Sequence, residues 1–269
     1  MARAMRISLV GGGVMGEAIV SALLSKGITT PEDVAVSDVV PQRLDYLRQR
    51  YGVAAHSSNR DATRSRDIIL LAVKPQDFPS LASGLPPLEA EQTVVSIMPG
   101  VTIAALQEAL AHRPVVRVMP NTPAQIGEGM SVWTAAPEVA SQRREEVRRI
   151  LCALGRELYV ADEKYVEMAT ALSASGPAFV FLVMEALVDG GVHIGLGREM
   201  ATAMALQMVL GSARFAQESG RHPAELKNMV TSPGGTTTEG LLVLEEAGVR
   251  AALVRAVAAA YDKAKRLGG

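Results

Sequence analysis

The sequence is poor in the residues that build disulfide frameworks and thiolate metal sites. Cys152 is its single cysteine, so neither a disulfide nor a cysteine metal cluster can form within one chain. The histidines are few and lie far apart, without the spacing typical of a metal site: His56, His112, His193 and His222. We therefore expect no metal centre.

An excess of charge of one sign is also missing. Lysine and arginine number 27 and the acidic residues 28, and a net charge of −1 offers no basic field to nucleic acid or acidic membranes. The longest apolar stretch, Pro177 to Val188, contains Glu185 and is too short to span a bilayer. Met1 to Met5 leads directly into a strand pattern, which predicts no signal peptide. The sequence predicts a soluble, cytoplasmic protein without nucleic-acid or membrane partners.

A glycine-rich turn near the N-terminus is the first positive signal. Arg6 to Val10 has the pattern of a buried strand, Gly11-Gly12-Gly13-Val14-Met15-Gly16 follows it, and a helical pattern comes next. This G-x-G-x-x-G between strand and helix is the dinucleotide-binding fingerprint. Gly11 permits the turn, Gly13 lets a pyrophosphate approach the backbone, and Gly16 lets the helix pack on the strand.

The second strand pattern, residues 34–37, bears on cofactor choice. It ends at Asp38, where an acidic residue can meet the ribose 2′-hydroxyl of NAD and would repel a 2′-phosphate. Arg43 lies five residues later and could bind that phosphate, so the sequence leans only weakly to NAD(H) over NADP(H). Asp38 could equally cap the helix that begins near Pro41.

Further strand patterns cover residues 67–73, 93–97 and 114–119, and their near-continuous apolar character predicts parallel strands buried on both faces. Turn residues follow each strand, at the edge where open α/β sheets bind ligands. Lys74 could contact a cofactor there or remain solvated. Asn121 could hold the nicotinamide amide or brace its own loop.

Strand patterns stop beyond residue 164, after which helical patterns cover residues 168–188, 198–218 and 241–267. These helices are apolar around much of their circumference, which in so small a domain indicates burial against a second copy of the chain. We therefore predict an α/β protein: an N-terminal Rossmann-type dinucleotide-binding domain, residues 1–164, followed by an all-helical dimerisation domain, residues 165–269. Within the first helical pattern, small residues around Gly176-Pro177 permit close approach of another backbone or of a flat ring, with the hydroxyls of Thr170, Ser173 and Ser175 nearby.

A second glycine-rich loop, Thr231-Ser232-Pro233-Gly234-Gly235-Thr236-Thr237, precedes a helical pattern in the second domain. Adjacent glycines let backbone N–H groups converge, and a helix N-terminus behind them favours negative charge. Such a loop suits a carboxylate or a phosphate. Alternatively, its serine and threonines only cap the helix.

The lack of a candidate acid narrows the chemistry. Hydride transfer to a ketone needs an acid to protonate the alkoxide, and no lysine occurs between Lys164 and Lys227. A protonated imine already carries the charge that a hydride neutralises, so it needs positioning and an anchor more than a strong acid. A nicotinamide beside an anion-binding loop therefore favours a small imine that carries a carboxylate.

Several segments together resemble the pyrroline-5-carboxylate reductase family over residues 6–267. They are Gly11-x-Gly13-x-x-Gly16, Ala72-Val73-Lys74-Pro75-Gln76, Arg117-Val118-Met119-Pro120-Asn121-Thr122-Pro123, Leu172-Ser173-x-Ser175-Gly176-Pro177-Ala178, Glu185-Ala186-Leu187-x-Asp189-x-Gly191-Val192 and Thr231 to Thr237. The resemblance implies that NAD(P)H reduces 1-pyrroline-5-carboxylate to L-proline, the last step of proline biosynthesis. It also implies interlocked homodimers, with the substrate loop contributed across the dimer, and further assembly into a decamer of five dimers.

The resemblance also implies site residues. The substrate carboxylate would bind Ser232 and the N–H groups of Gly235 and Thr236, and the Thr237 hydroxyl would face the ring nitrogen. Catalysis thus falls to Thr237 and Ser232, and substrate binding to Ser232, Gly234, Gly235, Thr236 and Thr237. The cofactor contacts are Val10, Gly11, Gly12, Gly13, Val14, Met15, Gly16, Asp38, Asn59, Ala72, Val73, Lys74, Pro75, Ile97, Met98, Asn121 and Thr170.

The chain departs from the family pattern at Met98-Pro99, where Ala-Ala is common, and at Ala174, Phe179 and Asp38. Pro99 lacks an N–H donor that could serve the nicotinamide. Two other interpretations stay open: a reductase of a related cyclic imino acid, such as a six-membered homologue, and a non-catalytic dinucleotide-binding paralogue.

Overall fold

The computed structural model describes residues 5–268, so the start of the chain, for which no signal peptide is expected, lies outside the described residues. The chain forms two compact units. Unit 1 comprises Met1–Ser175 and Ala260–Gly269, and unit 2 comprises Gly176–Ala259.

Unit 1 contains a sheet with the strand order β3-β2-β1-β4-β5-β6-β7-β8. Its strands are β1 (Ile7–Val10), β2 (Val34–Ser37), β3 (Ala54–His56), β4 (Ile68–Leu71), β5 (Thr93–Ser96), β6 (Val115–Met119), β7 (Gly129–Ala135) and β8 (Gly155–Tyr159). Neighbouring strands pair in parallel except β6 and β7, which are antiparallel. Short edge strand β3 was not predicted, because its three residues are partly exposed and carry no apolar pattern.

The helices of unit 1 connect these strands or, in the case of α7 and the π-helix, follow the last of them. They are α1 (Val14–Ser25), α2 (Pro41–Tyr51), α3 (Asn59–Thr63), α4 (Phe78–Gly84), α5 (Ile103–Leu110), α6 (Ser141–Ala153) and α7 (Lys164–Ala169), with 3₁₀ turns at Pro31–Asp33, Pro75–Asp77 and Thr122–Ile126 and a π-helix at Thr170–Ala174. The predicted parallel, Rossmann-like sheet is confirmed.

Two apolar clusters cover the two faces of this sheet. Along β4, Ile68 and Leu70 belong to one cluster, whereas Ile69 and Leu71 belong to the other. Because successive strand residues point to opposite faces, a continuous apolar run is what a doubly covered strand requires. The continuous apolar patterns in the sequence therefore reflect burial on both sides.

Unit 2 is helical. Its helices are α8 (Gly176–His193), α9 (Arg198–Ser219), α10 (Pro223–Met229), α11 (Thr236–Glu246) and α12 (Val249–Gly268), the last of which continues into the residues assigned to unit 1. The single helix predicted over residues 241–267 is thus wrong. It is divided at Gly248, whose φ of 69° lies in the left-handed region where glycine is favoured.

The apolar surface of unit 2 is largely exposed in the single chain. Its buried apolar cluster holds only Val188, Ala201 and Ala205, while large side chains such as Phe181 and Leu182 are 60% and 65% exposed. The helical run Lys164–His193 has 30 residues, and by length and composition alone it could cross a membrane. The stretch Pro177 to Val188, which was predicted from the sequence to be too short to span a bilayer, thus lies inside a longer helical run that extends beyond it at both ends.

Candidate functional site

The turn between β1 and α1 is built so that two of its positions require glycine. Gly11 has a φ of 102°, and a Cβ there would lie 2.7 Å from the Ala72 carbonyl oxygen. A Cβ at Gly16 would lie 2.2 Å from the Gly11 carbonyl oxygen. Helix and strand therefore approach as closely as the fingerprint demands.

Gly13 differs from these glycines, because a Cβ at this position would meet nothing within 4 Å. Gly13 is the N-cap of α1 and is exposed, and no side chain caps this helix. The first N–H groups of α1 have no acceptor within their own helix. Open space beside free donors at a helix N-terminus fits the pyrophosphate of a dinucleotide.

Asp38 follows β2 and makes two hydrogen bonds to the backbone. Its Oδ2 accepts from the N–H of Gly12 at 2.7 Å, and its Oδ1 accepts from the N–H of Val40 at 2.9 Å. Helix α2 has Val40 as its N-cap and no side-chain cap. The alternative that Asp38 caps this helix is therefore wrong, and its carboxylate instead connects the glycine turn to the loop before α2.

Segments that follow three neighbouring strands meet at one edge of the sheet. The Ala72 N–H donates to the Val10 carbonyl at 2.8 Å, and the Ile97 N–H donates to the Leu71 carbonyl at 3.1 Å. Lys74 is exposed at this edge, and Ile97 is half-buried. The Met98 side chain is 0% exposed and packs in an apolar cluster, so only its backbone could face a ligand.

Asn59, another predicted cofactor residue, lies outside this group of segments. It is the first residue of α3, after the N-cap Ser58, and its carbonyl accepts from the Thr63 hydroxyl at 2.8 Å. Its side chain is partly exposed. Asn59 thus stands beyond β3, on the same side of the sheet order as Asp38 after β2.

Asn121 makes the contacts of a brace. Its Nδ2 donates to the carbonyl and hydroxyl oxygens of Ser173, both at 3.3 Å, and its Oδ1 accepts from the Met130 N–H at 2.9 Å. Of the two roles open from the sequence, the bracing contacts are the ones observed. They connect the end of β6 to the π-helix.

The π-helix Thr170–Ala174 places further candidate hydroxyls. The carbonyl of Thr170 accepts from both the N–H and the hydroxyl of Ser175, at 3.0 and 3.1 Å. The Thr170 hydroxyl donates to the Val166 carbonyl at 3.1 Å. Single π-helical turns occur frequently at functional sites, and this one overlaps the start of the motif Leu172 to Ala178.

An ion cluster around the buried Arg117 could not be foreseen from the sequence motifs. Arg117 on β6 is 0% exposed, and its Nη1 lies 2.7 Å from Glu163 and 3.6 Å from Glu167. The same Glu163 oxygen accepts from the Ile103 N–H at 2.8 Å. A charged residue in the middle of an otherwise apolar strand, Val115 to Met119, was the available signal.

The predicted substrate loop lies in unit 2, between α10 and α11. Gly234 has a φ of 67°, the Gly235 N–H donates to the Ser232 carbonyl at 3.0 Å, and the Thr238 hydroxyl donates to the same carbonyl at 2.7 Å. Helix α11 begins at Thr236 with Gly235 as its N-cap and no side-chain cap. The alternative that the loop's hydroxyls serve as caps is therefore wrong.

This geometry changes which donors an anion would meet. The N–H of Gly235, which the resemblance assigns to the substrate, is already used inside the loop. Thr236 and Thr237 are the first residues of α11, so their N–H groups have no acceptor in the helix. A Cβ at Gly235 would lie 2.4 Å from the Ser232 hydroxyl, so a larger residue there would force the Ser232 side chain to move.

The chain is similar to known proteins over nearly its whole length. A family model described as pyrroline-5-carboxylate reductase dimerisation matches residues 163–267, and one described as NADP oxidoreductase, coenzyme F420-dependent, matches residues 6–100. The pyrroline-5-carboxylate reductase of Methanosarcina acetivorans is 41% identical over 98% of both chains, and that of Synechocystis sp. is 40% identical over 98% of both. This chain belongs to the pyrroline-5-carboxylate reductase family.

Membership of the pyrroline-5-carboxylate reductase family confirms the resemblance seen in the sequence motifs. A solved Plasmodium falciparum pyrroline carboxylate reductase with NADP bound has a TM-score of 0.90 to this chain, at 32% identity over 98% of each chain. The fold class, a Rossmann-like domain followed by a helical dimerisation domain of this family, is likewise confirmed.

Proposed function

We propose that this chain reduces 1-pyrroline-5-carboxylate to L-proline with NADH or NADPH, the last step of proline biosynthesis. The observation that carries the proposal is a sequence identity of 36–41%, over 97–99% of the chain, to proteins named pyrroline-5-carboxylate reductase. The chain is thus an NAD(P)H-dependent oxidoreductase that acts on an imine.

The cofactor residues are proposed from the edge of the sheet that the glycine turn shares. The donors around Gly13 hold the pyrophosphate, and Asp38 and Asn59 lie toward the adenosine. The backbone from Ala72 to Pro75 and at Ile97 and Met98 lies toward the nicotinamide, with Asn121 and Thr170 behind it. When bound, the reduced nicotinamide supplies a hydride.

The substrate residues are proposed from the loop between α10 and α11. The N–H groups of Thr236 and Thr237, with the Ser232 hydroxyl, hold the carboxylate at the positive end of α11. Thr237 is half-buried, and its hydroxyl donates to, or accepts from, the ring nitrogen. A protonated imine needs no further strong acid, so the chain contributes to catalysis mainly by positioning the imine for hydride transfer.

The helical domain is proposed to make the enzyme a homodimer. A family model for dimerisation covers residues 163–267, and the exposed apolar side chains of α8 and α9 are the surface that a second copy would bury. The division at residues 164/165, a decamer of five dimers and a cytoplasmic location belong to the same proposal.

The proposal is tested by initial rates of NADH and NADPH oxidation, measured separately, with 1-pyrroline-5-carboxylate and then with its six-membered homologue. We expect rapid oxidation with the five-membered imine and proline as the product. A higher rate on the six-membered ring would favour the related imino acid. No oxidation by a folded protein that binds nucleotide would favour a non-catalytic paralogue.

Replacing Thr237 by alanine should lower kcat on 1-pyrroline-5-carboxylate at least about tenfold, or roughly 1.4 kcal/mol of transition-state stabilisation. Nucleotide binding should be unchanged. Thr238→Ala is the matched control, since the Thr238 hydroxyl supports the loop through the Ser232 carbonyl and its loss should chiefly raise KM. Equal kcat in wild type and T237A would remove Thr237 from the mechanism.

A further inference from the structure

The first turns of α1 and α2 hold an ion pair beside the glycine turn. Arg43 on α2 donates through Nε to the Gly12 carbonyl, through Nη2 to the Gly13 carbonyl at 3.4 Å, and through Nη2 to the carboxylate of Glu17 on α1. The side chains of Arg43 and Glu17 are 26% and 23% exposed. The guanidinium thus faces the turn and Glu17 at once.

Glu17 is held in place by more than this pair. Its Oε1 accepts from the hydroxyls of Tyr46 and Tyr51, each at 2.9 Å. Burial alone would raise the pKa of Glu17, but hydrogen bonds from Arg43, Tyr51 and Tyr46 outweigh it, so the pKa lies below its ordinary value. Glu17 is therefore charged at neutral pH and fixed against Arg43.

Asp38, the second acidic residue beside the glycine turn, bonds the backbone and not Arg43. Asp38 accepts from the N–H groups of Gly12 and Val40, so its carboxylate shapes the backbone around the turn. Arg43 is the cation that follows Asp38 in the segment where dinucleotide-binding folds receive the adenosine ribose. Its charge is already matched by Glu17.

We propose that Glu17 is a built-in counter-ion that competes with a nucleotide 2′-phosphate for Arg43, and that Glu17 thereby sets the choice between NAD(H) and NADP(H). The inference rests on the proposed nucleotide site and goes beyond it by naming the residue that determines specificity. A guanidinium fork binds a carboxylate or a phosphate with the same donors. A 2′-phosphate that takes the Nε–Nη2 edge of Arg43 must therefore displace Glu17 from it, whereas a 2′-hydroxyl requires no exchange.

Displacement would also cost contacts within the glycine turn. Arg43 bonds the Gly12 and Gly13 carbonyls with the same side chain that pairs with Glu17. Moving the guanidinium toward a phosphate would weaken those bonds and leave Glu17 charged beside the incoming anion. Removing the charge of Glu17 relieves the competition while the rest of the site is kept.

The test measures binding of two nucleotide fragments, adenosine 2′,5′-bisphosphate and 5′-AMP, by calorimetry. Glu17→Gln should bind the bisphosphate about tenfold more tightly than wild type does and 5′-AMP within about twofold. Asp45→Asn is the matched control: Asp45 is an exposed acid on α2 that pairs with Arg48 and not with Arg43. It makes the same change in net charge and should alter the bisphosphate affinity less than about twofold.

Repeating the measurement in the Arg43→Gln variant separates the effect of the Arg43–Glu17 pair from a general effect of net charge. With Arg43→Gln present, Glu17→Gln should no longer change the bisphosphate affinity. A gain that equals that of D45N, a gain that persists without Arg43, or no gain would each overturn the proposal. Should E17Q fail to fold, Glu17→Ala makes the same charge change. Neither fragment carries a nicotinamide, so the result is independent of whether the protein reduces 1-pyrroline-5-carboxylate.

Discussion

Gly16→Ala is expected to abolish nucleotide binding, with at least about a hundredfold loss of affinity for NADH or NADPH. The new methyl group would lie 2.2 Å from the Gly11 carbonyl oxygen and 2.9 Å from the Leu9 side chain. The carbonyl belongs to the turn itself, so relief requires α1 to move away from β1. The donors at the start of α1 would then leave the positions that suit a pyrophosphate.

Gly13→Ala is the informative companion, because its methyl group would enter open space and the backbone at Gly13 has a negative φ that alanine tolerates. Thermal unfolding without nucleotide should show G16A destabilised and G13A close to wild type. Nucleotide titration should show both weakened, since the space at Gly13 is the space proposed for the pyrophosphate. Undiminished nucleotide affinity in G13A would place the cofactor elsewhere.

Arg117→Met should lower the free energy of unfolding by about 3 kcal/mol, or roughly 6–12 °C in Tm at fixed protein concentration. Methionine can fill the volume of the side chain, but Glu163 and Glu167 would be left without the cation that each faces. Both carboxylates are partly exposed, so water compensates for part of the loss. Because Glu163 also accepts from the Ile103 N–H, the start of α5 should loosen as well.

Adding Glu163→Gln to R117M gives the matched test. Glutamine keeps an oxygen for the Ile103 N–H while removing one of the two uncompensated charges. The double variant should therefore recover about half of the lost stability, and E163Q alone should be destabilised. Strictly additive losses would mean that Arg117 contributes by packing alone. Urea unfolding of the four proteins supplies the comparison.

The sheet was predictable where a short, nearly continuous apolar run is followed by turn residues. Residues 34–37 were predicted as a strand and form β2 with the same bounds, and the fingerprint glycines were recognisable because their spacing is local. The break at Gly248 was not predicted, since helical patterns with apolar residues lie on both sides of it. Strand β3 escaped because an edge strand need not be apolar.

Side-chain partners were less predictable than the backbone. The pairs Arg43–Glu17 and Arg117–Glu163 join residues 26 and 46 positions apart, and no sequence period connects such residues. The roles of Asp38 and of the Gly235 N–H depend on hydrogen-bond geometry that only the folded turn defines. The motifs therefore predicted which residues form the candidate site, whereas its ion pairs and hydrogen bonds could be seen only in the structure.

The small buried cluster of unit 2 bears on how the protein folds. Three buried apolar residues, two of them alanines, offer too little hydrophobic free energy to offset the ordering of this many residues. In the proposed homodimer, the helices of unit 2 would acquire their stability as their exposed faces become covered, which would make folding and association one event. Dilution should therefore act on this protein as a denaturant does, and newly made chains should mature at a rate set by how often they meet.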